Sequence, residues 1–215
     1  MELYYNTVNY RLRETLNILM AADEFSAFRL VGGTSLSLQL GHRLSIDIDL
    51  FTDAEYKSID FDVIDNYLRR EFVYVDSPSS GDVAFGKSYY VGASAHECIK
   101  LDLFYTDRFI RDAIVVDGIR MASIEDIAAM KVDVIQRTGR KKDFWDIHKL
   151  LDTHSIETLL LLHEERYPYT HERDEIISKF TNFTYANGDF DPVCLLHKEW
   201  GIIKLDIIDA IETYL

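Results

Sequence analysis

The segment Leu44-Ser45-Ile46-Asp47-Ile48-Asp49-Leu50-Phe51 constrains this chain more than any other. Leu44, Ile46, Ile48 and Leu50 alternate with Ser45, Asp47 and Asp49, a period of two that belongs to a strand buried on one face. Asp47 and Asp49 then point the same way, with Cα atoms roughly 6 to 7 Å apart. Two carboxylates on one sheet face repel each other, and a divalent cation relieves the repulsion. Magnesium takes one or two protein carboxylates and leaves positions for water and phosphate oxygens. A half-exposed strand with two solvated acids shows the same pattern, so the pair alone does not decide.

A second strand is expected over Cys98–Phe104, with Ile99, Leu101 and Leu103 on one face and Lys100 and Asp102 on the other. Placed beside the first strand, it brings Asp102 to the same surface as a third metal ligand, able to accept a proton from an attacking hydroxyl. An acid on an exposed edge strand would read the same way. Ahead of both, Gly32-Gly33-Thr34-Ser35 follows a short strand expected at Phe28–Val31 and leads into a helix beginning near Thr34 or Ser35. Glycines let the backbone approach a phosphate, helix-start N–H groups bind anions, and hydroxyls add donors. A plain strand-to-helix turn with a Thr or Ser cap uses the same residues. Lys131 lies on or beside the apolar stripe of Ile127, Ala128, Val134 and Ile135. A lysine there either snorkels to water or meets an anion, for which a nucleoside triphosphate is suitable.

The remaining elements complete the outline. Helices are expected over Met1–Asp23, Ile59–Glu71, Ser123–Arg137, Lys141–Leu151, Ile156–Glu165, His171–Phe180 and Trp200–Tyr214, and further strands over Phe72–Asp76 and Val83–Val91. Asp117-Gly118 between Val115-Val116 and Ile119-Arg120 is a two-residue hairpin signal. Pro78, Pro168 and Pro192 fall in expected loops. Strands mixed with helices, then helices alone, give an α/β (α+β) chain: a core over residues 1–120 and a helical region over 121–215 that completes the site.

With 215 residues and 47% hydrophobic content, the chain can bury a core without staples. Two cysteines, Cys98 and Cys194, share no metal-binding spacing and suit a reducing cytoplasm. No signal pattern or membrane-spanning apolar run is present. The net charge of −14 opposes non-specific adhesion to nucleic acid, although Arg137, Arg140, Lys141 and Lys142 form a local basic stretch.

Taken jointly, Gly32-Gly33-Thr34-Ser35-Leu36, Gly41-His42-Arg43-Leu44-Ser45-Ile46-Asp47-Ile48-Asp49-Leu50-Phe51, Glu125-Asp126-Ile127-Ala128-Ala129-Met130-Lys131, Arg137, and Lys141-Lys142-Asp143-Phe144-Trp145-Asp146-Ile147 resemble the AbiEii/AbiGii toxin family of nucleotidyltransferases. The resemblance covers about residues 30 to 152 and implies a DNA-polymerase-β-like nucleotidyltransferase fold, a mixed sheet with flanking helices. It implies that Asp47 and Asp49 ligate Mg²⁺, that Gly33 and Ser35 contact nucleotide phosphates, and that Lys131 is the phosphate-binding lysine. It also identifies Asp143 and Asp146 with the acids of the family's Lys-Asp-x-x-Asp element. Gly32, Thr34, Arg43 and Lys142 join the nucleotide-binding set. Some members of the family are toxins of toxin–antitoxin or phage-defence systems that add nucleotides to tRNA 3′ ends. An NTP substrate, a tRNA or other RNA acceptor and a cognate antitoxin are therefore the expected partners.

Each of these residues has a plainer alternative. Arg43 pairs either with triphosphate or with Asp47 or Asp49. Asp143 caps its own helix. Lys142 belongs to a solvated basic turn, and Asp146 orients Lys131 or Lys142. Phe144 and Trp145 belong to the core, and the histidines are structural. A nucleotidyltransferase acting on a protein or small molecule, and a non-catalytic binding module, are the competing functional readings.

Overall fold

A computed structural model describes residues 2–77 and 85–215. Pro78 and the first residues of the strand expected at Val83–Val91 lie outside the described residues. Helix α1 (Tyr10–Ala21) is capped by the Asn9 side chain, which accepts from the Leu12 N–H, and it buries Leu12, Leu16 and Leu19. Strand β1 (Arg29–Leu30) leads into α2 (Gly32–Leu40), and β2 spans Asp47–Thr52. Helix α3 (Phe61–Glu71) is capped by Asp60, and β3 (Tyr74–Asp76), β4 (Gly86–Ser94) and β5 (Glu97–Tyr105) follow.

Strands β6 (Ile114–Val116) and β7 (Ile119–Met121) form the hairpin announced by Asp117-Gly118. Both turn residues have positive φ, 52° and 81°, as a type I′ turn requires. Then come α4 (Ile124–Thr138), α5 (Lys141–Leu150), α6 (Ile156–Arg166), α7 (Arg173–Phe180) and α8 (Trp200–Tyr214). The described strands make one mixed sheet in the order β3-β4-β5-β2-β1-β7-β6.

Two apolar clusters hold the fold together. One packs α1 and α3 on the sheet face that carries Ile48, Leu50, Leu101 and Leu103, all fully buried. The other joins α4 to α8 around Ile127, Phe144, Leu159, Phe180 and Ile207. The connection between β1 and α2 serves both: Leu30 and Leu38 enter the first cluster, Val31 and Leu36 the second. The division expected at 120/121 from the order of strands and helices falls inside β7, which pairs with β1.

Several boundaries differ from expectation. The helix expected over Met1–Asp23 begins only at Tyr10, where Asn9 caps it, after a separate 3-10 turn at Tyr5–Thr7, and β3 begins at Tyr74 instead of Phe72. Strand β2 begins at Asp47, because the residues before it bond elsewhere: Leu44 N–H donates to Val193 C=O (2.9 Å) and Ser45 N–H to Thr7 C=O (2.8 Å). Ile46 is consequently 67% exposed instead of joining the apolar face. Helix α2 starts at Gly32, three residues earlier than a hydroxyl cap at Thr34 would place it, and has no side-chain cap.

Candidate active site

Strand β5 lies parallel to β2 with Asp49 directly opposite Asp102 and Asp47 opposite Lys100. The strand period puts Asp47, Asp49, Lys100 and Asp102 on one face, while Ile48, Leu50, Leu101 and Leu103 fill the core behind. Burial first, then the charges of Asp102 and Asp47, push the pKa of Asp49 up to about 6. One oxygen of Asp102, Oδ1, is buried without a hydrogen-bond partner among the described residues. Crowded like charge and an orphaned acceptor are what a divalent cation satisfies, so these residues fit the ion that their chemistry implies.

The three carboxylates do not already enclose an ion: among the described residues, no three carboxylate, imidazole or thiol groups stand close enough to hold one. Asp102 Oδ2 is instead bonded to Lys100 Nζ at 2.5 Å, and Asp47 faces Lys142 Nζ at 3.9 Å. Burial lowers the pKa of Lys100, but the hydrogen bond and charge of Asp102, with Asp47 and Asp49, raise it more. The ammonium therefore keeps its charge.

The glycine turn brings backbone to this face. Gly32 has φ +65°, and a Cβ on it would lie 2.5 Å from Asp49 Oδ2. A Cβ on Gly33 would lie 2.2 Å from Arg43 Nη2. The uncapped start of α2 thus sits against the acids, with the helix-start N–H groups and the positive end of the helix dipole beside them. The Thr34 and Ser35 hydroxyls are engaged within the fold. The Thr34 hydroxyl donates to the Asp47 carbonyl and shares a 2.7 Å hydrogen bond with the Ser45 hydroxyl, tying α2 to β2. Ser35 is fully buried and accepts from Gln39 Nε2 at 3.1 Å.

A second, wholly internal constellation stands behind the turn. Asp146, on α5, is fully buried. It accepts from Arg43 Nε (2.7 Å) and Nη2 (2.8 Å), bonds His42 Nε2 (2.7 Å), and pairs with Lys131 Nζ (2.6 Å). Burial opposes ionisation of Asp146, but Arg43 and Lys131 outweigh it and hold its pKa well below the usual carboxylate range. Lys131 also donates to Asp143 Oδ1 at 2.7 Å, and Asp143 Oδ2 accepts from the Arg140 N–H, capping α5. Burial lowers the pKa of Lys131, yet Asp143 and Asp146 push it up to about 12.

The fold itself supplies the partners of two buried cations. The anions that meet Lys131 are Asp143 and Asp146, and Lys131 is only 6% exposed. The partner of Arg43 is Asp146, not Asp47 or Asp49. Both follow from burial, because a cation this enclosed needs an anion supplied by the fold itself. Phe144 and Trp145 are buried, and Trp145 stacks on Trp200 at 5.5 Å.

Sequence reasoning overlooked Gln39, which joins Ser35 to the Ala122 carbonyl, and Lys100. Only Lys100 left a signal, its placement two residues before Asp102 on the same strand face. His42, expected to be structural, is one of the four contacts that fix Asp146.

Proteins of similar sequence or fold are known. An uncharacterized protein of Aquifex aeolicus is 29% identical over 205 residues, covering 94% of this chain and 87% of its own. The crystal structure of JHP933 from Helicobacter pylori shares the fold at TM-score 0.58 and 17% identity, over 94% of this chain and 88% of that one. MenT4, a nucleotidyltransferase toxin from Mycobacterium tuberculosis, shares it at TM-score 0.54 and 13% identity, over 92% and 84% of the two chains. The family model for the nucleotidyl transferase AbiEii toxin of type IV toxin–antitoxin systems matches residues 15–201, and so takes in β1 to α7 and the start of α8. With the acid pair, the third acid and the glycine turn all inside that match, the chain belongs to the AbiEii nucleotidyl transferase toxin family and is an enzyme of nucleotidyl transfer.

Proposed function

We propose that this enzyme moves a nucleoside monophosphate from an NTP to an acceptor hydroxyl, at the 3′ end of tRNA, in a magnesium-dependent reaction in the cytoplasm. The observation that carries this reading is the register of β2 and β5, which sets Asp49 opposite Asp102 on the face that also presents Asp47. Magnesium bound by Asp47, Asp49 and Asp102 supplies neutralisation of the carboxylates and of the triphosphate. Asp102 accepts the proton of the acceptor hydroxyl. The backbone of Gly32 and Gly33 approaches the phosphates at the start of α2, with Thr34 and Ser35 fixing the turn from inside. Lys142, already facing Asp47, is the accessible cation for the triphosphate or the leaving pyrophosphate.

Lys131, Arg43, Asp143 and Asp146 hold α5, and with it Lys142, against the sheet. The tRNA acceptor rests on the family and on the basic stretch from Arg137 to Lys142. A cognate antitoxin is the partner that membership implies. No described helix is long and apolar enough to cross a membrane.

The test uses each labelled NTP with magnesium and total RNA, and separately with lysate protein. Transfer to RNA that disappears in an Asp47→Ala/Asp49→Ala variant with a native melting curve supports the reading. Transfer that survives the double substitution overturns the site, and label on protein alone overturns the acceptor.

A further inference from the structure

Among the described residues, Lys100 is the one lysine paired with the acids of the catalytic face at hydrogen-bonding distance, 2.5 Å from Asp102 Oδ2. Its side chain is 38% exposed, whereas that of Asp102 is 16% exposed. The ammonium thus approaches Asp102 from the solvent side, on a flexible four-carbon stem that can swing back to water. In register it stands opposite Asp47, so it lies over the three-carboxylate surface. It engages one oxygen of Asp102 and leaves Oδ1 buried with no hydrogen-bond partner among the described residues. A well-seated structural ion pair satisfies its acceptor; this one leaves a ligand position facing a site where three like charges meet.

We propose that Lys100 is a resident counter-cation that the divalent ion displaces, so that ion entry and departure of the ammonium form a single exchange. The inference rests on the ion-binding reading of Asp47, Asp49 and Asp102 given above. Before the exchange, Lys100 neutralises Asp102 and keeps the face from repelling itself apart. Afterwards both oxygens of Asp102 are free to serve the ion and the acceptor hydroxyl. The ammonium, released on the same face, adds positive charge where the triphosphate arrives. Lys100 is therefore a positioning residue that sets how much ion the enzyme needs.

The experiment titrates Mn²⁺ into the nucleotide-free full chain by calorimetry, comparing the wild type with Lys100→Gln, Lys100→Arg and Asp49→Asn, and records a melting curve for each with and without Mn²⁺. Removing one positive charge a few ångströms from the ion in a partly solvated site should tighten Mn²⁺ binding about fivefold in Lys100→Gln. The same variant should melt lower than wild type without ion and recover more on adding it. Lys100→Arg, which keeps the charge, should bind no tighter than wild type. If Mn²⁺ binds and Asp49→Asn weakens it, but a folded Lys100→Gln binds equally or less well, the exchange is wrong and the ion site stands. If wild type does not bind Mn²⁺, or Asp49→Asn binds it undiminished, the ion site itself falls and the exchange with it.

Discussion

Asp49 is a carboxylate kept where its charge is unwelcome. Its pKa, about 6, lies above the ordinary 3.8 because burial and the charges of Asp102 and Asp47 disfavour ionisation. The unfolded chain ionises Asp49 near the ordinary value, so a penalty on the folded state is absent below about pH 4, grows as pH rises toward about 6, and is complete above that. Asp49→Asn removes it. The variant should be more stable than wild type at pH 8 without divalent ion, by about 1–3 kcal/mol. The gain should vanish at pH 4, and urea melts at both values measure it. A variant that is less stable at pH 8 would mean that the acid is held by contacts that favour its charge. Catalytic acids commonly carry such strain, because the ion or substrate that relieves it is absent from the free fold.

The element that depends most on one side chain is α5. Its N-terminal half is docked through Asp146, which meets Arg43, His42 and Lys131 with no exposure to water. Asp146→Ala would leave two buried cations short of an anion and should cost about 3–5 kcal/mol, read from urea melts. A loss under about 1 kcal/mol would show that Asp143 alone holds the helix. Asp49 stands in contrast: its proposed role in chemistry comes at the expense of stability, whereas Asp146 serves stability. The alternation of Ile48 and Leu50 with Asp47 and Asp49, the same pattern around Asp102, and the Asp117-Gly118 turn are local signals, so the acid face and the hairpin were legible in the chain itself. Arg43 with Asp146, and Lys131 with Asp143, were not legible as pairs. Sequence shows that an enclosed cation needs an anion, but which anion depends on how α5 docks, a contact across distant residues. The start of β2 was misjudged for the same reason, since the segment from Leu44 to Ile46 carries a strand pattern and yet bonds to Val193 and Thr7.

At the scale of the whole molecule, the two apolar clusters meet at the connection between β1 and α2, where Leu30 and Val31, neighbours in sequence, enter opposite clusters. Neither cluster can come apart without pulling on a segment the other needs. Urea unfolding followed by far-ultraviolet circular dichroism and by tryptophan fluorescence should therefore give one coincident transition, Trp145 and Trp200 lying with the helical cluster. Separate midpoints would mean that the sheet and the helices are independent units. The late segment also reaches back to the early one: Leu44 N–H donates to Val193 C=O, Leu195 N–H to His42 C=O, and Lys141 pairs with Asp191. Ribosomes build the chain in the other order, so Asp47 and Asp49 emerge long before the clasp that braces the residues leading to them. A nascent chain therefore carries these acids without their brace until residues 193–195 have left the ribosome.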